Sequence, residues 1–240
     1  MKKFSIFLAA VVGINAMPTM PQARDTSACP YYLPEGSYEF PHLIVPINNS
    51  DVAIGHSYSA DVSPGDCATI FNFDIPSSRA NQQCSVYFTF PRHNQLVTSD
   101  FKWNGNRSGT KGPGTLELVQ YAYHTGATDA TTGNTQPPLG PAAPVSISNA
   151  QPGNAYRAWT GSCGAGGVMS WKLSSPDSYL YYFQDWNLCA IGLWVVYEGA
   201  APVQAPSCSS CPSTEKFASH GAWVKAYISG AMAGEAGTQA

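Results

Sequence analysis

The chain has 240 residues, a formal net charge of −3 and only 11% charged residues, against 22 glycines and 19 prolines. That length allows one large β domain or two small ones. The absence of any basic block argues against nucleic acid as a partner, and the low charge with many turn formers and aromatics fits an extracellular β protein better than a cytosolic enzyme.

Residues 1–16 read as a secretory signal peptide: Lys2 and Lys3 give a positive start, Phe4 to Ile14 is apolar, and Ala16 is a small residue suited to cleavage. The apolar run is too short to span a bilayer, and no other membrane span is expected. Residues 17–28, polar and containing proline, read as a disordered leader. Seven cysteines follow, at 29, 67, 84, 163, 189, 208 and 211. In an oxidising compartment they predict disulfides, with one thiol left over. Cys208-x-x-Cys211 has no second cysteine or histidine pair at finger spacing, so no metal is expected.

From residue 29 to 198 short apolar strands alternate with turn signals. "FPHLIVPI" (40–47) carries prolines at both ends, which suits an edge strand. In residues 67–75, Cys67, Thr69, Phe71, Phe73 and Ile75 form one face and Ala68, Ile70, Asn72 and Asp74 the other. The period of two continues in "CSVYFTFP" (84–91), "TLELVQYAY" (115–123), "PVSIS" (144–148), "AYRAWT" (155–160) and "VMSWKL" (168–173). The pattern predicts a single antiparallel all-β sandwich over 29–198. Within it, residues 125–144 ("TGATDATTGNTQPPLGPAAP") are low-complexity, have no core face and read as a long exposed loop. Residues 199–240 read as a small-residue linker and a weakly amphipathic helical tail.

Four stretches in order, "GSYEFPHLIVPI", "TIFNFDIP", "CSVYFTFP" and "YFQDWNLCAIGLWV", resemble the fungal domain family named after the C-terminal region of a ubiquitin-3-binding protein, the "But-two" C-terminal domain. The resemblance covers roughly residues 30–197 and implies a β-sandwich in a secreted or wall-associated fungal protein, with no catalytic residue to carry over. It also implies a Cys84–Cys163 disulfide. Cys67–Cys189 is a second expected pair, because both lie in apolar strand runs. The family name further implies an adaptor that binds a ubiquitin-like activating enzyme, a role a secreted chain would not meet.

Constellations for chemistry are sparse. Glu35, Glu39, Asp74, Glu117 and Asp185 are the candidate carboxylates, yet strand geometry puts Glu35 and Glu39 about 13 Å apart, and Asp74 and Asp185 sit at strand ends where Asp caps turns. No G-x-S-x-G elbow accompanies the histidines, His42 within its strand reads as packed, and "GSCGAGG" (161–167) lacks the Lys-Ser/Thr of a phosphate loop. No catalytic residue and no cofactor is expected. Asn48 and Asn106 head glycosylation sequons.

The aromatics remain. Trp103 beside Asn104, and Trp186 between Asp185 and Asn187, lie in turn contexts where an indole could stack on a sugar, or serve as a half-buried cap. Trp171 and Trp194 sit mid-strand and read as core. In "YLYYFQDWNLCAIGLWVVY" (179–197), read as a hairpin, both faces of both strands are apolar. That predicts strands covered on both sides rather than an open platform, and contracts the functional question to Asp185-Trp186-Asn187. The expected function is a non-catalytic extracellular or cell-wall protein whose partner is a wall polysaccharide or a host surface. A glycan-active hydrolase with an unrecognised carboxylate pair and the ubiquitin-pathway adaptor are the alternatives.

Overall fold

The structure, a computed structural model, describes residues 29–106, 112–186 and 188–199; the signal and leader segments and the tail, with Cys208 and Cys211, lie outside these residues. In chain order the strands are β1 (Tyr38–Glu39), β2 (Leu43–Ile47), β3 (Ser59–Val62), β4 (Ala68–Ile75), β5 (Gln83–Phe90), β6 (Phe101–Asn104), β7 (Gly114–Gln120), β8 (Val145–Ala150), β9 (Asn154–Ser162), β10 (Gly167–Ser174), β11 (Tyr179–Phe183) and β12 (Gly192–Tyr197). They form an all-β antiparallel sandwich of three sheets, ordered β2-β4-β10-β7-β8, β1-β12-β5-β9 and β3-β11-β6. As its flanking prolines suggest, β2 is an edge strand.

Inward residues of all three sheets share one core. Phe71, Phe73, Leu118 and Trp171 come from the first sheet, Val86, Phe88, Leu193 and Val195 from the second, and Val62, Leu180 and Tyr182 from the third. Each large side chain so buried contributes about 1.5–3 kcal/mol before entropy is charged. Trp171 and Trp194 are both fully buried, and the Trp194 indole N–H donates to Thr89 Oγ1 at 2.9 Å.

The outer faces differ. On the five-stranded sheet, the low-complexity segment is not an exposed loop. It leaves β7 and returns at a Tyr121–Leu139 bridge, and Ala127, Thr131 and Thr132 are buried. Ala127 packs with Val45, Ile47, Ile70 and Tyr121 into a second small core. Asn72, on the outer face of β4, holds it down: its Nδ2 donates to Ala127 O at 2.8 Å and its Oδ1 accepts the Ala127 N–H at 3.1 Å. Gly126 is required there, because a Cβ would lie 2.7 Å from Asn72 Nδ2. The repeat Thr128-x-x-Thr131, Thr132-x-x-Thr135 closes two consecutive turns. Each first N–H donates to the second threonine's Oγ1 (2.8 and 2.9 Å), so the backbone finds partners without a sheet. Hydrophobicity alone hides this cover, since its contacts are mostly polar.

On the second sheet, residues 31–38 cover Trp194 and Val196 with Tyr31, Leu33 and Tyr38. Residues 179–197 are not a hairpin of one sheet: β11 and β12 belong to different sheets, and the chain between them is closed by an Asp185–Ile191 bridge. Gln184 makes the crossing. Its side-chain amide donates to Leu193 O (3.0 Å) and accepts the Leu193 N–H (3.1 Å), as a strand residue would. Gly192, at φ +118°, leaves room for that amide.

The outer face of β3-β11-β6 departs from the expectation of double cover. Tyr181 (37%) and Phe183 (43%) are exposed and Tyr179 is half-buried. Alternation shows that a face is apolar, but not whether another layer lies over it.

Candidate functional site

The loop between Asp185 and Ile191 carries the most exposed indole in the described chain. Asp185 and Ile191 exchange backbone hydrogen bonds of 3.3 and 2.9 Å, which closes the loop. The Thr98 hydroxyl donates to the Asp185 carboxylate, and Ser99 Oγ donates to Phe183 O at 2.6 Å. Asp185 is thus a loop-fastening group, as the position of an Asp at a strand end suggests. Trp186 beyond it is 65% exposed and Leu188 47%.

Cys189 pins the loop from the other side. It is bonded to Cys29, with Cα atoms 5.1 Å apart. This corrects the expected Cys67–Cys189 pair: Cys67 is free in the turn between β3 and β4, and lying in an apolar run says nothing about which cysteines meet. Cys84 and Cys163 do form the other disulfide, joining β5 to the residue after its neighbour β9, and both are buried.

The Cys29–Cys189 bond brings two segments into apposition. Trp186 and Leu188 form one wall, and Tyr32, Leu33, Glu35 and Tyr38 the other, around a groove of about 350 Å³. Aromatic and aliphatic groups with one carboxylate at the rim suit a neutral ligand with apolar faces and hydroxyls. Tyr38 packs edge-on against Trp194 at 5.7 Å, and burial, then the charges of Glu35 and Glu39, raises its phenol pKa, so it stays a neutral O–H group at physiological pH. Sequence reading missed this second wall. "YYLPEGSY" (31–38), one residue beyond Cys29, is the available signal, but only the pairing with Cys189 places it opposite Trp186.

The remaining predicted residues do not converge here. Trp103 is in β6, not a turn: it is 9% exposed, lies edge-on to Phe90 at 5.3 Å, and its indole N–H donates to Gly112 O at 3.1 Å. It offers no face to a ligand. Asn104 is exposed at the end of β6, opposite Tyr179 on the open sheet face. Asn187 lies outside the described residues.

Among the other candidates, Glu39 accepts the Tyr197 hydroxyl at 2.6 Å and Asp74 pairs with His42 at 3.1 Å. His56 and His93 pair with Asp129 and Asp100 at 3.0 and 2.8 Å, all on the surface. Asn48 borders a smaller concavity of about 210 Å³ with Asp66, Cys67 and Lys172. Its Oδ1 accepts from Ser50 N–H (3.1 Å) and Ser50 Oγ (2.6 Å), an Asx turn formed within the sequon. Asn106 is exposed, and its sequon partners lie outside the described residues. Among the described residues no helix is long and apolar enough to cross a membrane.

No curated protein and no solved structure matches the chain. The family model of the ubiquitin 3 binding protein But2 C-terminal domain matches residues 39–188, which include Trp186 but neither Cys29 nor the Tyr32–Tyr38 wall. That match takes in well over half of the chain and β2 through β11, and the chain belongs to this But2 C-terminal domain family.

Proposed function

We propose that the protein is a secreted, non-catalytic module of a fungal wall or extracellular surface that binds a neutral glycan in the Trp186 groove. The observation that carries this is an indole left 65% exposed on a loop fastened at both ends, by Thr98 and by the Cys29–Cys189 bond, and set opposite Tyr32 and Tyr38. Holding a large apolar ring in water is unfavourable, and a pinned loop gives it little freedom to bury itself. A rigid aromatic with hydroxyl partners binds sugars at low ordering cost. Two disulfides are compatible with an extracellular site, and the signal-like N-terminus supports export. The non-catalytic assignment is supported by the engagement of Glu39, Asp74 and Asp185 with other side chains rather than with one another.

A glycan array probed with the full chain and with Trp186→Ala tests the site: the variant is expected to lose binding by roughly ten-fold or more. Equal binding by the two proteins defeats it. The family name favours a second reading, an adaptor in a ubiquitin-like pathway. Cell fractionation separates the two. Recovery of an unprocessed chain from the cytosol, with reduced Cys29 and Cys189, would favour the adaptor.

A further inference from the structure

We infer that the open face of β3-β11-β6 is a separate binding surface, a docking strip for a straight, uncharged polysaccharide of the β-1,4-linked class laid along β11. Tyr179, Tyr181 and Phe183 point out from alternate positions of one strand, so their rings stand in a line about 6.5–7 Å apart. Tyr58, 74% exposed, extends the line sideways with its ring 6.5 Å from Phe183. Singly exposed apolar residues are ordinary, but a contiguous row of rings on a sheet face marks an interaction surface. The row is straight because the strand is. An extended chain can therefore meet several rings at once, whereas a coiled polysaccharide meets one.

Charge selects the class further. Register places Asp61 of β3 and Lys102 of β6 on opposite sides of the same residue, Tyr181, and Lys102 Nζ lies 5.9 Å from that ring. The two formal charges cancel across the strip, which leaves no field to attract an acidic polysaccharide, a nucleic acid or an anionic membrane. Lys102 and Asn104, both exposed, instead supply hydrogen-bonding groups beside the rings, as hydroxyls on a sugar edge require. The strip is distinct from the Trp186 groove and stands or falls apart from it.

The test is co-sedimentation of the full chain with insoluble cellulose and chitin, with soluble amylose and polygalacturonate as competitors. Binding to cellulose or chitin is expected, insensitive to 1 M NaCl in the manner of an uncharged contact. The double substitution Tyr181→Ala, Phe183→Ala should weaken it about ten-fold, while Val52→Ala, at an exposed apolar residue outside both surfaces, leaves it unchanged. An unaltered melting temperature checks that the double variant is folded. Equal retention of wild type and double variant, binding to neither solid, or displacement by polygalacturonate alone overturns the proposal. So does a dimer, seen by light scattering, that the double variant converts to monomer, since the face would then belong to a second copy of the chain.

Discussion

β4 of the five-stranded sheet and β11 of the three-stranded sheet both carry apolar or aromatic residues on their outer as well as their inner sides, yet one sheet face is covered and the other open. Over the first lies the 121–140 segment, held by Asn72 and two threonine turns. Tyr181 and Phe183 stay 37% and 43% exposed, with Lys102 and Tyr58 beside their rings in place of a covering segment. The cover is made of Thr, Gly, Asn and Pro, residues that a hydrophobicity pattern assigns to solvent. The open face carries along β11 the rings of Tyr179, Tyr181 and Phe183, which the same pattern assigns to the core. What decides cover is therefore whether a segment can satisfy its own backbone while lying flat, and small hydroxyl and amide side chains do that better than large apolar ones.

This contrast can be broken experimentally at several points. The largest effect is expected from removing the Cys29–Cys189 bond, which fastens the other covering segment, residues 31–38. Its closed loop spans 160 residues, so Cys29→Ser with Cys189→Ser should cost about 2–5 kcal/mol in denaturant unfolding and expose Trp194 to fluorescence quenchers. A loss below about 1 kcal/mol would mean that packing alone holds that cover.

Next, Asn72→Ala leaves the Ala127 N–H and C=O without their buried partner. An expected cost of about 2–3 kcal/mol should come with faster hydrogen exchange confined to residues 125–139. Exchange unchanged in that segment would show that the threonine turns suffice. By contrast, Tyr181→Ala with Phe183→Ala, on the open face, should change stability by no more than about 0.5 kcal/mol each. A larger loss would mean that those rings are packed after all.

The smallest effect concerns pH. Asp61 has its pKa raised by burial and then by Asp66, so the folded chain holds its proton more tightly than the unfolded one. The stability that this proton contributes is present below the unfolded-state pKa and is lost as pH rises through the folded one. Asp61→Asn should therefore raise the melting temperature slightly at neutral pH, and the gain should vanish on acidification. A gain that grows toward low pH would contradict the shift.

The architecture was largely legible in the residues. Period-two runs gave β4, β5, β7, β8, β9 and β10, and the prolines of 40–47 marked β2 as an edge. β3 was missed because "SADV" is short and mostly small, and β6 because "FKWN" is only four residues long and its Trp103 was read as a turn aromatic. The site was half legible. Trp186 could be singled out as a turn indole, and Asp185 as a residue that fastens a turn. Its opposite wall could not be, since the Tyr32–Tyr38 segment reaches it only through a disulfide between cysteines 160 residues apart. Sequence spacing carries no distance information at that range, and local apolarity does not replace it, since it points to Cys67 as the partner of Cys189 where the structure has Cys29.

That same bond has a mechanical consequence. Tension applied between residue 29 and residue 199 passes from Cys29 straight into Cys189 and out along β12. The strands from β1 to β11 lie inside the covalent loop and carry load only through their pairing with β12. A pulled chain can lengthen by only the ten or so residues after Cys189, about 35 Å when fully extended, while the Trp186 loop sits at the covalent junction where the load turns. As long as the bond is oxidised, extension is limited to the segment after Cys189, and the load falls on β12 and its hydrogen bonds to β1 and β5.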